Sequence, residues 1–331
     1  MKIVISDDRF GWSDEERFVL RGLEAELCIA GGHTEDELIE ACADADGILL
    51  NQAPMNARVI GALKKCRVIS RYGIGYDNVD ILAAEERGIW VTNVPGYCTE
   101  EVAEHALGLL LAAVRWIPQK DRGVRAGGWN LNRPIRRMSA SVLGIVGFGA
   151  TGRAFWEKVQ GFGFSRILIA DPHIEAKLHP GMAGEAASFT TVIEESDFIS
   201  LHVPLNERTR HCINARTLAR MKDGAVLINV SRGPVIDEAA LVEALRSGKL
   251  GAAGLDVFEK EPLPPDHPFL SLDNAILTDH SAYYSRESVS ILKTRAAMNV
   301  REVLEGRIPR FAVNRPVIRK ADFDPDMEYI A

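Results

Sequence analysis

Residues 142–152 read VLGIV-GFGATG, and this stretch determines the fold of the part of the chain around it. The apolar, β-branched run Val142–Val146 predicts a strand, Gly147–Gly152 follows it directly, and a helical pattern continues from Arg153 to about Gln160. Glycines spaced GxGxxG form a strong signal only between a strand and a helix. The first glycine makes the tight turn, the second admits a pyrophosphate and the third lets helix and strand pack closely. The stretch therefore predicts a dinucleotide-binding loop.

Asp171 stands at the end of the next predicted strand, Ile167–Ala170. An acid at this position accepts hydrogen bonds from the ribose hydroxyls and repels a 2′-phosphate, so we expect NAD rather than NADP. The alternative is that the three glycines merely permit a close turn and that Asp171 is solvated, but the strand–loop–helix context argues against it.

Strands alternate with helical patterns on both sides of this loop. This alternation predicts an α/β protein with two doubly wound parallel sheets, the second of about six strands. The predicted strands are 2–6, 27–30, 47–50, 67–71 and 90–93 in the first sheet, and 141–147, 166–170, 198–202, 225–230, 252–257 and 275–278 in the second.

Two long helices stand apart from this alternation. The pattern from Glu100 to about Trp116 is apolar over much of its circumference, so we expect it to be buried almost all round, at a domain or subunit interface. A last helix is predicted from about Ser285 to Glu305.

Composition excludes several classes of protein. The 331 residues are enough for about two domains, and 39 basic against 46 acidic residues give a net charge of −7, which disfavours nucleic acid as a partner. The apolar run Ala106–Val114 is far shorter than the ~20 residues of a membrane span. The first residues, Met1–Ser6, read as a strand rather than as a secretory leader, so a cytoplasmic protein is expected. Five scattered cysteines without a CxxC pair indicate neither disulfides nor a metal site.

Three candidate catalytic residues follow predicted strands. Arg232 comes after the strand that ends at Val230, Glu261 lies in a short acidic stretch after Val257, and His280 follows Leu277. An arginine there can bind a small carboxylate or carbonyl, and a histidine held by a carboxylate can deliver a proton to a developing alkoxide. Taken singly, each also fits a structural interpretation: a surface arginine in a turn, or a hydrogen-bonded histidine.

Together these motifs resemble those of the D-isomer-specific 2-hydroxyacid dehydrogenase family, in particular its phosphoglycerate dehydrogenase-like and C-terminal-binding-protein-like members. The resemblance covers nearly the whole chain. It rests on residues 71–80, 93–96 with 100–105, 147–152 with Asp171, 201–209, 229–241 and 254–262.

The resemblance implies an Arg, Glu, His active site on Arg232, Glu261 and His280. Arg232 would bind the carboxylate and carbonyl of a 2-oxo acid, His280 would act as general acid and base, and Glu261 would orient His280 and favour its charged form. The backbone amides of the segment Tyr72, Gly73, Ile74 and Gly75 would hold the substrate carboxylate. Tyr283 would line the substrate pocket, although it fits equally well as simple packing.

The resemblance also implies which residues surround NAD, with Asp256 near the nicotinamide amide. These are Thr99, Gly147, Phe148, Gly149, Ala150, Thr151, Gly152, Asp171, His202, Val203, Pro204, Thr209, Val230, Ser231 and Asp256.

The family resemblance further implies two domains. Residues 1–97 and 288–331 would form a discontinuous, flavodoxin-like substrate domain, and residues 98–287 a Rossmann NAD domain inserted into it. The apolar 100–116 helix would form the interface of a homodimer.

Two functions from different classes fit the sequence. The first is an NAD-dependent oxidoreductase that transfers a hydride between NAD(H) and a small 2-oxo or D-2-hydroxy acid. The alternative is an NADH-sensing, corepressor-like dimer with incidental dehydrogenase activity. The sequence does not choose among glyoxylate, hydroxypyruvate, pyruvate and larger 2-oxo acids, because methylene-level discrimination depends on the shape of the pocket.

Overall fold

The computed structural model describes residues 1–31, 34–129, 132, 134–178 and 181–316. The chain divides into two compact units, Met1–Tyr97 with Ser285–Ala331, and Cys98–Tyr284. Residues 317–331 of the first unit lie outside the described part. The division falls at Tyr97, as in the predicted domains, and three residues before the predicted second boundary. That the units serve substrate and NAD respectively stays a prediction.

The helices and strands of the first unit alternate before Tyr97, and one long helix follows from Ser285 on. In chain order the elements before Tyr97 are β1 (Lys2–Ile5), α1 (Asp14–Val19), β2 (Glu26–Ile29), α2 (Glu35–Cys42), β3 (Gly47–Leu50), α3 (Ala57–Ala62), β4 (Val68–Arg71), α4 (Ile81–Glu86) and β5 (Trp90–Thr92).

The second unit contains the elements α5 (Thr99–Arg115), α6 (Ile117–Arg125), β6 (Val142–Val146), α7 (Ala150–Val159), β7 (Arg166–Ala170), α8 (Ile174–Lys177), β8 (Glu185–Ala186), α9 (Phe189–Glu195), β9 (Phe198–Leu201), α10 (Ala215–Arg220), β10 (Ala225–Asn229), α11 (Glu238–Arg246), β11 (Leu250–Leu255) and β12 (Ala275–Leu277). The last helix, α12 (Arg286–Leu304), belongs to the first unit.

The first unit is built on a five-stranded parallel sheet in the order β2-β1-β3-β4-β5. Its central strand β3 is buried throughout, as expected of a strand covered on both faces. The helix α12 packs against β3 and β4, where a Cβ on Gly47 would lie 2.9 Å from the Val300 side chain. A capping box between Thr34 and Glu37 starts α2.

The second unit contains a seven-stranded parallel sheet in the order β12-β11-β10-β9-β6-β7-β8. The two sheets confirm the predicted α/β class with two doubly wound parallel sheets. The predicted count of about six strands in the second sheet is one short, because β8 is an exposed two-residue edge strand without an alternating pattern.

One face of α5 packs against β10, β11 and α7 and is buried. Contrary to the expectation of burial almost all round, Val102, Leu107 and Leu111 are only half-buried in the single chain. None of the helices in the described ranges combines the length and the apolar composition that spanning a membrane requires.

Candidate active site

The order of the second sheet reverses between its neighbouring strands β6 and β9. Ligands of open α/β sheets bind outside the carboxyl ends of the strands at such a switch point. The glycine loop follows β6, and residues 202–204 follow β9, so both predicted cofactor-binding loops start at this edge.

The glycine loop fits the backbone only with glycine at two positions. Gly147 adopts a φ of +90°, and a Cβ there would lie 2.4 Å from the carbonyl oxygen of His202. A Cβ on Gly152 would lie 2.2 Å from the carbonyl oxygen of Gly147. Gly149, by contrast, is the N-cap of the ten-residue helix α7 and has open space around its Cβ position. An open glycine at a helix N-terminus fits a pyrophosphate.

Asp171 lies at the end of β7 and is tied to the glycine loop. Its Oδ2 accepts a hydrogen bond of 2.8 Å from the Phe148 N–H, and its Oδ1 accepts one of 2.8 Å from the His173 N–H. The carboxylate is therefore fixed beside the loop where the ribose of a dinucleotide would lie. Together with the open glycine, this arrangement fits the nicotinamide dinucleotide that the sequence implies.

His202 is buried rather than presented at the sheet edge. Its side chain packs against the Phe155 ring, with centroids 5.1 Å apart, and its Nε2 lies 2.9 Å from the Ser200 hydroxyl. Burial lowers the pKa of His202 to about 3, so the imidazole is neutral at physiological pH. Its predicted role in binding the cofactor is untested, and only its backbone borders Gly147.

Several other predicted cofactor residues form ordered turns. The Thr209 hydroxyl donates to the Pro204 carbonyl over 2.6 Å, which closes the loop after Val203. Ser231 donates to the Asn229 side chain from both its N–H and its hydroxyl. Thr99 is the first residue of α5, and Val230 is buried at the end of β10.

His280 and Glu261 form the central contact of the candidate site. His280 Nδ1 lies 2.6 Å from Glu261 Oε2, and Glu261 Oε1 accepts a hydrogen bond of 2.9 Å from the Phe258 N–H. Burial alone would raise the pKa of Glu261, but the hydrogen bond and charge of His280, the Phe258 N–H and the charge of Arg232 outweigh it and lower that pKa. Glu261 is therefore a carboxylate that faces the imidazole.

His280 has a left-handed backbone, with φ at +54°. Its N–H donates to the Asp256 carbonyl, while the Asp256 carboxylate accepts hydrogen bonds of 2.9 Å from the next two amides, Ser281 and Ala282. The Thr278 hydroxyl donates to the same carboxylate over 2.6 Å. Asp256 thus determines the path of the backbone through His280.

Sequence reasoning missed Thr278 and His105 in this cluster. Leu255 of β11 pairs with Leu277 of β12, so Asp256 and Thr278 follow side by side, and His105 Nε2 lies 2.9 Å from the Thr278 hydroxyl. The pairing of β11 with β12 could have predicted that Thr278 lies beside Asp256. Nothing in the local sequence connects His105 to a residue more than 170 positions away.

Arg232 precedes Gly233, which lies against the backbone that leads to Glu261. A Cβ on Gly233 would lie 1.9 Å from the Phe258 carbonyl carbon, so the two segments touch through their backbones. Arg232, Glu261 and His280 are therefore brought together within the second unit. The Tyr283 ring lies edge-on to the imidazole of His280, with centroids 6.4 Å apart.

The segment Tyr72–Gly75 belongs to the first unit and follows β4. The Tyr72 hydroxyl donates to Glu16 Oε1 over 2.6 Å, and the Gly73 carbonyl accepts a hydrogen bond from the Val94 N–H. The segment is thus anchored at both its side chain and its backbone. Its predicted contact with the substrate carboxylate stays a prediction.

Comparison with known proteins identifies the family. Residues 107–282 match the family model described as "D-isomer specific 2-hydroxyacid dehydrogenase, NAD binding domain". The chain is 42% identical over 288 residues to a glyoxylate reductase of Korarchaeum cryptofilum, an alignment that covers 85% of this chain and 86% of the relative. The chain belongs to the D-isomer specific 2-hydroxyacid dehydrogenase family.

Solved structures agree with this assignment. The structure of D-lactate dehydrogenase from Aquifex aeolicus, complexed with NAD and lactic acid, superposes with a TM-score of 0.83 at 26% identity, covering 95% of this chain and 99% of that one. An acyclic imino acid reductase in complex with NADPH and D-Arg superposes with a TM-score of 0.82 at 26% identity, covering 95% and 100%. The protein is therefore a 2-hydroxyacid dehydrogenase with a site for a nicotinamide cofactor.

Proposed function

We propose that this dehydrogenase reduces a small 2-oxo acid to the D-2-hydroxy acid with NADH, with Arg232, Glu261 and His280 as its catalytic residues. The observation that carries the proposal is the 2.6 Å contact between His280 Nδ1 and Glu261 Oε2 at the carboxyl edge of the second sheet. The names of the similar proteins support an enzyme over the corepressor-like alternative, since they are reductases and dehydrogenases.

His280 acts as the general acid in this proposal. Because Nδ1 faces Glu261, Nε2 is the nitrogen that donates a proton to the carbonyl oxygen as it becomes an alkoxide. Glu261 fixes the orientation of the ring and stabilises its charged form. In the oxidative direction the same nitrogen accepts the proton from the hydroxyl group.

Arg232 binds the substrate in this proposal. Its guanidinium donates two hydrogen bonds to the carboxylate and polarises the neighbouring carbonyl. This stabilises the negative charge that develops on the carbonyl oxygen. Within the segment Tyr72–Gly75, the N–H groups of Ile74 and Gly75 add hydrogen bonds to the carboxylate, because those of Tyr72 and Gly73 already donate to backbone carbonyls. Tyr283 limits the size of the group on the substrate's third carbon.

The glycine loop and Asp171 hold the cofactor, which supplies the hydride when it is bound. The N-terminus of α7 favours the pyrophosphate, and Asp171 accepts hydrogen bonds from the ribose hydroxyls. A 2′-phosphate would place like charges together, so we expect NADH to be used in preference to NADPH.

The test is NADH oxidation at 340 nm with glyoxylate, hydroxypyruvate, pyruvate and branched or aromatic 2-oxo acids. We expect turnover on at least one small acid, a loss of about 100-fold or more in kcat for His280→Gln, and a similar loss in kcat/KM for Arg232→Gln. Arg246→Gln is the matched control, since Arg246 is an exposed cation on α11 that pairs with Glu243. Tight NADH binding without turnover on any acid would overturn the proposal.

A further inference from the structure

The turn that carries Glu261 is held from outside the catalytic contact. Glu261 comes three residues after Phe258, and its Oε1 accepts the Phe258 N–H. The next amide along the turn, the Glu259 N–H, donates to Glu238 Oε1 over 2.8 Å. Two carboxylates therefore cap successive amides of one turn, but only Glu261 faces His280.

A carboxylate at position 238 is costly if its only purpose is to accept a backbone hydrogen bond, because the side chain is largely buried. It is the first residue of α11, and its side chain is only 12% exposed. Burial raises the pKa of the Glu238 carboxyl, although the hydrogen bonds from the Glu259 N–H and from His267 act in the opposite direction. A buried carboxylate costs free energy unless hydrogen bonds compensate for the lost water, and those of Glu238 go to the Glu261 turn and to His267.

His267 orients Glu238. Its Nε2 lies 3.2 Å from Glu238 Oε2, and its Nδ1 accepts a hydrogen bond of 3.3 Å from the Phe269 N–H. Because a backbone N–H can only donate, Nδ1 bears no proton in this arrangement, and the proton of the neutral ring is on Nε2. His267 is then a fixed donor to Glu238.

The same turn is joined to the segment that carries Arg232. Gly233 lies against the Phe258 backbone, as described above, and His211 spans the two segments from the side. The His211 N–H donates to the Pro234 carbonyl over 2.8 Å, while its Nε2 lies 2.8 Å from Glu259 Oε1. The positions of Arg232 and Glu261 are therefore coupled through the backbone around Glu259.

We propose that Glu238, held by His267, is a positioning residue that fixes the Glu261 turn and through it the orientation of His280. The proposal rests on the catalytic roles given under the proposed function. Glu238 faces His267 and Glu259, whereas Glu261 faces His280 and Arg232, so Glu238 acts on the reaction only through the backbone of the turn. Small displacements of a catalytic group are costly, about 100-fold in rate for 1 Å.

The direct test is Glu238→Gln. The new amide keeps an oxygen that accepts the Glu259 N–H, but its NH2 group faces the Nε2–H of His267. Because both groups are donors, the hydrogen bond between residues 238 and 267 is lost. We expect kcat for 2-oxo acid reduction to fall about tenfold while KM for NADH is unchanged.

Two further variants separate positioning from folding. Glu243→Gln on the same helix is the matched control, because Glu243 is exposed and pairs only with Arg246 among the described ion pairs; we expect wild-type values. His267→Gln places an amide donor where Nε2 lies and should retain activity within about threefold. If Glu238→Gln does not fold, His267→Phe removes the same hydrogen bond from the other side and carries the same expected loss.

A double-mutant cycle decides the route of the effect. If Glu238 acts through Glu261, then Glu238→Gln causes no further loss of kcat in a Glu261→Gln background. A folded Glu238→Gln or His267→Phe enzyme with wild-type kcat would overturn the inference, as would losses that multiply in the double variant. Absence of turnover by the wild-type enzyme would instead overturn the proposed function.

Discussion

At the scale of single residues, His202 connects the glycine loop to the acid stability of the protein. Its ordinary pKa of 6.5 falls to about 3 on burial. Between about pH 3 and pH 6.5, His202 is therefore protonated in the unfolded chain and neutral in the folded chain. The stabilisation is complete above about pH 6.5 and is lost as the pH falls towards 3, at about 1.4 kcal/mol per pH unit.

We therefore expect His202 to account for roughly 2 kcal/mol of the stability lost between pH 7 and pH 5. Urea denaturation at the two pH values measures this loss in the wild-type protein and in His202→Gln, which should lack it. His173→Gln is the control, since His173 is exposed on the surface of the same unit. An equal decline in wild type and His202→Gln would contradict the assignment.

The sequence predicts the chemistry of single residues better than their surroundings. The strand ends place Arg232, Glu261 and His280 at one sheet edge, and the structure brings Glu261 and His280 into contact. The sequence does not predict that the His202 side chain points into the core, because the direction of one side chain in a loop depends on packing against residues that are distant in the sequence. Glu238 and His267 were missed for the same reason, since their meeting depends on the tertiary fold.

At the scale of elements, the join between β6 and α7 requires glycine at position 152. A Cβ there would lie 2.2 Å from the Gly147 carbonyl oxygen, which is a backbone atom and cannot move aside as the end of a flexible side chain could. We expect Gly152→Ala to lower the free energy of unfolding by about 2 to 3 kcal/mol and to weaken NADH binding.

Gly61→Ala is the matched substitution in a helix with room for a methyl group. Its Cβ position in α3 has no heavy atom within 4 Å, and its φ is not in the left-handed region. Removal of glycine from a helix should stabilise the protein by about 0.5 to 1 kcal/mol. Denaturant titrations of the two variants should therefore shift in opposite directions; a shift in the same direction would refute the steric argument.

The half-buried side of α5 supports the proposal of a homodimer. Val102, Leu107 and Leu111 are apolar and incompletely covered in the single chain. We expect light scattering to give twice the chain mass of 36.4 kDa, and the double substitution of Leu107 and Leu111 by Glu to give the monomer. Leu82→Glu, at a 71% exposed site on α4, should leave the mass unchanged. A monomeric wild-type protein would refute the proposal.

Elements with clear periodicity were predicted to within a few residues, and those without it were not. The capped helix α2 and the glycine loop carry their own local signals, so their positions follow from the sequence. The strand β8 has two exposed residues and no pattern to detect. The apolar pattern of α5 does not distinguish residues that pack within the chain from residues that would pack against another chain. A prediction from this pattern therefore overestimates how much of α5 is buried in a single chain.

At the scale of the whole molecule, the cofactor site should make stability depend on which dinucleotide is present. A ligand at 100 times its Kd adds about 2.7 kcal/mol to the free energy of unfolding. We expect NADH to raise Tm and NADPH at the same concentration to raise it much less, because Asp171 repels the 2′-phosphate. Asp171→Ser should reduce the difference between the Tm increases that NADH and NADPH produce. Equal shifts for the two dinucleotides in the wild-type protein would contradict a preference for NADH.

The left-handed backbone at His280 has an evolutionary consequence. An L-residue with φ near +54° is less stable by about 1 to 2 kcal/mol than glycine in the same conformation, and glycine has no imidazole. Selection for stability and selection for turnover therefore favour different residues at this position. The hydrogen bonds that the Ser281 and Ala282 amides donate to the Asp256 carboxylate hold the backbone in this conformation and so allow histidine to persist there. Substitution at position 256 is therefore constrained even without contact with substrate.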